Sequence, residues 1–289
     1  MDNEIFERQN NKKAIELLGA QRQLYNEVKR IEDLRIFFAV FFPMILAVIE
    51  LFVINNQILS IIIYISSIVS MLIGLMVSSY IKNKKRLAAE IQQIFDVYVY
   101  QMPWDVKLFG RERDINYSII EYSKKLFRKA GEKEKLLNWY TGPVQFVDLN
   151  KGILICQKEN FQWDVTLRKR FKKLSIIVVA CFVVLIVIIN LIKNNSSVML
   201  LGMLAFFFPM IVWLVEIVKN IDGDIENLKE CDDIMNSPGI KTMSELQEIQ
   251  KHIYEHRKSC FVIPNWFYKK FKDNDEDTAH RVASRDINE

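Results

Sequence analysis

Hydrophobic positions crowd into four windows of this chain, Ile36–Ile54, Ile58–Ile81, Leu174–Ile192 and Val198–Val218, and thin out between them. Each window is about 19 to 24 residues long, enough for an α-helix rising about 1.5 Å per residue to cross a hydrocarbon core of about 30 Å. The run "LSIIVVACFVVLIVIINLI" has almost no polar side, whereas a helix of a soluble core carries one. The pattern predicts four transmembrane helices arranged as two hairpins. Outside the windows the apolar residues fall into the three- and four-residue steps of half-buried helices. Ile15, Leu18, Tyr25, Val28 and Ile31 make such a stripe in the N-terminal arm, with Arg22, Lys29 and Arg30 on the other side, suited to packing on the central region or on lipid.

"RLAAEIQQIFDVYVYQ" continues the second span as a helix until "MPWD" (Met102–Asp105) breaks it, because proline lacks the donor a helix interior needs. A second helix is predicted from Asp114 to Ala130, N-capped by the aspartate and ended by Gly131. "VQFVDLNKGILICQ" reads as two short extended pieces around an Asn-Lys-Gly turn, or equally as a loop. From Phe161 a basic helix feeds the third span. The fourth continues through Ile217, Ile221, Ile225, Leu228 and Ile234 until Ser237-Pro238-Gly239 stops it. Thr242 and Glu245 form a capping box for a last helix carrying Leu246, Ile249 and Ile253. The expected architecture is a mainly α membrane protein: an amphipathic N-terminal cytoplasmic helix (1–34), a first transmembrane hairpin (35–81), a central cytoplasmic region (82–173), a second hairpin (174–218), cytoplasmic helices with the aromatic-basic "NWFYKKFK" (219–272), and a disordered polar tail (273–289).

The net charge of +4 matters less than where the cations sit. The turn Asn55–Gln57 has none and Lys193–Ser197 has Lys193, while "KNKKR" (Lys82–Arg86) and "RKRFKK" (Arg168–Lys173) flank spans from the other side. By the positive-inside rule both termini and the central region are cytoplasmic. With two tiny outer turns, the chain takes its inputs from the cytoplasm. Its four cysteines are scattered and imply no disulfide framework.

No Gly-rich phosphate loop, nucleophile elbow or paired-cysteine zinc signature is present, so no catalytic residue is expected. His252, His256 and Cys260 fall at i, i+4 and i+8, but on one helix the outer two lie about 12 Å apart, too far for one zinc with bonds of about 2 Å. "FFPMILAVIE" (Phe41–Glu50) and "FFPMIVWLVE" (Phe207–Glu216) nearly repeat one another. Seven residues bring Pro43 and Glu50, or Pro209 and Glu216, to almost one helix face, offset by about 20°. Kinks and acids on a bundle interior suit acidic rings at opposite mouths of an oligomeric pore; acids solvated at an interface, Glu216 near Lys219, fit the same spacing. Trp104, Trp139, Tyr140 and Trp163 lie among many cations, a composition that serves nucleotide stacking or the packing of a small domain.

"EIFERQN" (Glu4–Asn10), "LLGAQRQLYNEVKR" (Leu17–Arg30), "MPWD", "NWY" (Asn138–Tyr140) and "ICQKENFQWDVTLRKRF" (Ile155–Phe171), in that order, resemble the SMODS-associated four-transmembrane effector family of bacteria. Lys158 and Asp105 stand where arginine and asparagine are expected in that pattern. The resemblance implies a role in cyclic-oligonucleotide-based antiphage signalling. A partner nucleotidyltransferase makes a cyclic di- or oligonucleotide, and the membrane effector, as a homo-oligomer, compromises the lipid bilayer and arrests or kills the infected cell. The resemblance places the chain in a bacterial inner membrane. From the residues themselves, the candidate ligand contacts are Trp139, Tyr140, Trp163, Arg168 and Arg170, and the candidate pore or gating residues are Pro43, Glu50, Pro209 and Glu216. No other cofactor, no metal and no direct nucleic acid contact is expected. A small ion channel or transporter not gated by a nucleotide, or a membrane-tethered scaffold, would use the same spans.

Overall fold

Helices begin and end in this chain where the sequence supplies caps and breakers. The computed structural model describes residues 3–52, 57–194, 200–201 and 207–271, and every regular element among them is helical. Helix α1 is Ile5–Gln9, and α2 is Lys12–Ile36, opened by the Asn11 side chain accepting from the Ala14 amide. A π-helical turn, Phe37–Phe41, joins α2 to α3, Phe42–Phe52. Pro43 accounts for that turn: with no amide hydrogen it cannot donate to the carbonyl four residues back, so the backbone before it widens. One carbonyl of the wide turn, that of Phe38, is taken by the Ser70 hydroxyl of the next helix.

Helix α4, Gln57–Tyr100, is 44 residues long, about 66 Å, which crosses a membrane and leaves about half its length over. It ends as a Schellman motif: the Met102 amide reaches Val97 O at 3.0 Å and the Gln101 amide reaches Tyr98 O at 3.4 Å. Gln101 holds the left-handed position at φ 56°, where glycine is the usual choice. Asp105 then N-caps the short α5, Val106–Phe109. The predicted Asp114 cap is not used: a 3-10 turn, Glu112–Ile115, leads into α6, Asn116–Phe127, whose N-cap position holds Ile115.

The extended pieces predicted around Asn150-Lys151-Gly152 are instead a 3-10 turn, Gly142–Phe146, and the start of α7, Leu149–Ile192. Asp148 caps α7 by accepting from the Lys151 amide, so the helix begins well before Phe161. Gly152 is present for close approach rather than for a turn: a Cβ there would lie 2.6 Å from Asn3 Nδ2 and 3.1 Å from Ile5 Cδ1. Helix α8 is Phe208–Asn236, stopped at Ser237, and α9 is Met243–Ser259, opened by the Thr242–Glu245 capping box. Residues 265–271 form a last short helix of about two turns.

Among the described residues, helices α4 and α7 are long and apolar enough to span a membrane. Their apolar surface faces outward: Ile58 is 73% exposed, Met76 78% and Ile192 78%. Surface of that kind, repeated along both helices, suits lipid and not water. Pro209 sits in the first turn of α8, where a missing amide costs nothing. Most of the fourth predicted window before Phe207, both outer turns in part and the tail beyond 271 lie outside the described residues.

Around the polar halves of α4 and α7, the segments before, between and after the apolar windows share one core. Leu17, Leu18 and Leu24 of α2, Ile91 and Phe95 of α4, Leu126 of α6, Ile153 of α7, Leu228 of α8 and Ile249 of α9 are buried together. The N-terminal arm thus packs on α4 and α6. Gly19 permits the α2–α6 crossing, since a Cβ there would meet the Phe127 ring at 2.6 Å.

Candidate functional site

Three buried charges from three long helices converge on the stretch that follows α9. Lys85 of α4 donates from Nζ to the carbonyls of Ser259 (2.9 Å) and Cys260 (2.6 Å). Arg168 of α7 donates to Phe261 O (2.7 Å) and to Asp224 Oδ2 of α8 (3.1 Å), and that same oxygen accepts the Phe261 amide at 3.1 Å. The Arg168 and Asp224 side chains are each 5% exposed. Burial pulls the Lys85 ammonium below its usual range, and the last carbonyls of α9 supply the partial negative charge that holds it. Phe261, Ile263 and Phe267 follow into the apolar cluster of Leu167, Phe171, Ile217 and Ile221. The arrangement is a clasp: splaying α4, α7 and α8 at this level breaks bonds to one backbone segment, and removing that segment takes backbone hydrogen bonds from all three buried charged groups.

A second network lies deeper in the domain, and the quoted motifs pair with one another inside it. Gln9 of "ERQN" accepts from the Tyr140 amide (2.7 Å) and donates to its carbonyl (3.3 Å), while Asn10 and Asn138 exchange two bonds of 2.8 and 3.0 Å. Tyr140 Oη donates to Asp96 Oδ1 at 2.6 Å and accepts from Tyr100 Oη (2.8 Å) and Asn160 Nδ2 (3.0 Å). The other Asp96 oxygen accepts from Gln250 at 2.9 Å and pairs with Arg257 of α9. Burial of the Arg257 guanidinium opposes its charge, but Asp96 outweighs it and holds the group protonated. Next to this network, burial lifts the Glu159 carboxyl from an ordinary 4.5 to about 7, against the Thr141 amide that favours its charge. Neighbouring residues of α9 thus serve both networks, since His256 Nδ1 lies 3.9 Å from Asp224 Oδ1.

A third cluster ties α2 to α8. Arg35 forks onto Glu32 at 2.8 and 2.9 Å, and its remaining nitrogen reaches both oxygens of Glu216 at 2.9 and 3.2 Å. Burial pushes the Glu32 carboxyl up although Arg35 lies against it.

Of the expected ligand contacts, Tyr140 and Arg168 are buried, with hydrogen bonds to Asp96 and Asp224. Trp139 is half-buried, edge-on to Phe95, and the Arg170 guanidinium lies 4.9 Å over the Phe271 ring. Glu216 is paired with Arg35, not with Lys219. Trp163 lies in α7, Pro43 and Glu50 in α3 and Pro209 in α8, their side chains outside the described residues. Among the described residues no group of three or more His, Cys, Asp or Glu side chains gathers to hold a metal. The residues sequence reasoning missed are Lys85, Asp96, Asp224 and Arg257. Asp224 carried a signal, because it shares the three- and four-residue stripe of Ile217, Ile221 and Leu228, where an acid has no solvent.

No solved structure matches the chain. A protein of Bacillus cereus (strain VD146), described as a "Probable CBASS effector molecule", is 28% identical over 181 residues, 60% of this chain and 58% of that protein. The chain therefore aligns with less than two thirds of that relative's length. The profile of the SMODS-associating 4TM effector domain matches residues 3–285, essentially from the Asn3 anchor through the clasp and beyond. On that match the chain belongs to the SMODS-associating 4TM effector domain family.

Proposed function

We propose that the protein is the membrane effector of an antiphage defence system, one that permeabilises the inner membrane as a homo-oligomer after binding a cyclic oligonucleotide from a partner nucleotidyltransferase. Family membership and the description of the Bacillus relative support the effector role. The observation that carries the mechanism is the clasp of Lys85, Arg168 and Asp224 on the stretch after α9. In this reading the clasped state is the resting one. A ligand that binds an unclasped arrangement more tightly shifts the population toward it, and α4, α7 and α8 separate at the membrane boundary. Glu50 and Glu216 then line opposite mouths of the assembled pore, Glu216 once it has left Arg35.

Liposomes carrying the full chain and a trapped dye test this with a panel of cyclic di- and trinucleotides. Release with one nucleotide and none without it is the expected result. Steady release without nucleotide would replace the reading with an ungated channel, and no flux of dye or of small ions under any nucleotide would leave a scaffold.

A further inference from the structure

The loop between α4 and α6 forms a shallow cleft of about 450 Å³ lined by Trp104, Val106, Arg111, Glu112 and Arg113. It lies at the end of α4 remote from the apolar window, on the cytoplasmic domain. Trp104 is pinned there: its Nε1 donates to Gly110 O at 2.8 Å and its ring leans on Phe109 at 5.1 Å, leaving the indole to act through its π face. The Arg111 guanidinium has no ion-pair or hydrogen-bond partner among the described residues, and Arg113 meets its neighbour Asp114 at a loose, exposed 3.7 Å. The one acid of the lining, Glu112, is offset by Lys13 at 3.2 Å. An aromatic face beside two available forked cations is the chemistry that takes a base and its phosphate together. The volume falls within the range of about 300–1,000 Å³ usual for small-ligand sites.

We propose that this cleft, rather than the Tyr140 and Arg168 region, binds a phosphodiester-linked nucleotide, with Trp104 stacking on a base and Arg111 and Arg113 on phosphate oxygens. The proposal rests on the reading of a cyclic oligonucleotide as trigger. The cleft is also connected to the clasp. Phe109 stands edge-on to Tyr254 of α9 at 4.9 Å, and the same helix carries Arg257 to Asp96 and ends in the carbonyl that Lys85 grips. A ligand that reorders the 101–111 loop therefore acts on the helix that leads into the clasp.

The experiment is equilibrium binding of cyclic di-AMP, cyclic GMP–AMP and cyclic tri-AMP to the detergent-solubilised full chain and to Arg111→Ala, Arg113→Ala, Trp104→Phe and Lys107→Ala. Thermal unfolding of each protein reports that it is folded. Each arginine variant is expected to weaken binding about tenfold, the worth of a charge-assisted hydrogen bond to phosphate, while Trp104→Phe keeps stacking and most of the affinity. Lys107, exposed on the same loop but outside the lining, is expected to leave affinity nearly unchanged, which separates a site from general attraction. Binding by the wild type with unchanged affinity in both arginine variants would overturn the cleft and leave the trigger standing. Binding of none of the three by the wild type would overturn the trigger and the cleft with it.

Discussion

Replacing Asp224 with asparagine removes one charge from the clasp and leaves its shape. The amide still offers an oxygen to the Phe261 N–H, which now lies 3.1 Å from Asp224 Oδ2, so the loss falls on the ion pair. Arg168 is 5% exposed and would keep its bond to Phe261 O, with Lys85 buried nearby. Breaking one side of a buried pair costs about 3–5 kcal/mol, most of it from the charge left behind. If about 3 kcal/mol of that is felt by local release of the segment after α9, the open population rises about 100-fold. Cys260, 8% exposed at the start of this segment, reports that opening directly. In a chain whose other cysteines are replaced, maleimide labelling of Cys260 should accelerate about 100-fold in Asp224→Asn, at a rate tracking the opening equilibrium. The double change Arg168→Gln with Asp224→Asn, which removes both charges and keeps a donor for Phe261 O and an acceptor for its amide, should bring the rate most of the way back. A rate within about threefold of the parent in Asp224→Asn would show that the buried pair does not hold the segment, and the clasp reasoning would fall.

Three further expectations concern other parts of the domain. Glu159 has a folded-state pKa raised from 4.5 to about 7, so its stabilising contribution is complete below pH 4.5 and is lost as pH rises through about 7. Glu159→Gln should therefore match the parent at pH 4.5 and exceed it by about 3 kcal/mol above pH 8, read as the pH dependence of chemical unfolding. Gly152→Ala drives a methyl against Asn3, whose amide bridges Val144 O (2.7 Å) and Val147 O (3.0 Å). It should cost about 1–3 kcal/mol and expose the N-terminal arm to protease, with little added by Asn3→Ala in the same chain. Gln101→Gly should stabilise by about 1 kcal/mol in the denaturant midpoint, because φ 56° is unstrained for glycine; an unchanged or lower midpoint would contradict the Schellman assignment.

Local pattern carried the helices and failed on what lies between them. The buried side of α2, with Ile15, Leu18 and Val28, the run of α4 past the membrane to Tyr100, the stop at Ser237 and the Thr242 box are all short-range signals, and each is where the sequence put it. Asn150-Lys151-Gly152 misled because a glycine that admits a neighbour and a glycine that makes a turn look identical in one dimension. Asp148, two residues before Asn150, was the better signal for a helix start. The charged pairs were beyond reach for a different reason: Arg168 to Asp224 spans 56 positions and Arg257 to Asp96 spans 161, so no periodicity links them. What a sequence does offer is the stray polar residue on an apolar stripe, as at Asp96 and Asp224, which announces a partner without naming it.

Helices α4 and α7 pass from domain to membrane without a loop, and that makes each of them a lever. A jointed connection would absorb a rearrangement of the domain as bending; an uninterrupted rod passes it on. About 19 residues of α4 lie beyond Ile81, an arm of about 28 Å, so a sideways shift of about 5 Å at its outer tip turns the span by about 10°. The far tip is Tyr100, bonded to Tyr140 and a few residues from the Trp104 cleft. Small displacements there become changes of slope inside the bilayer, with nothing between the two ends to take up the slack.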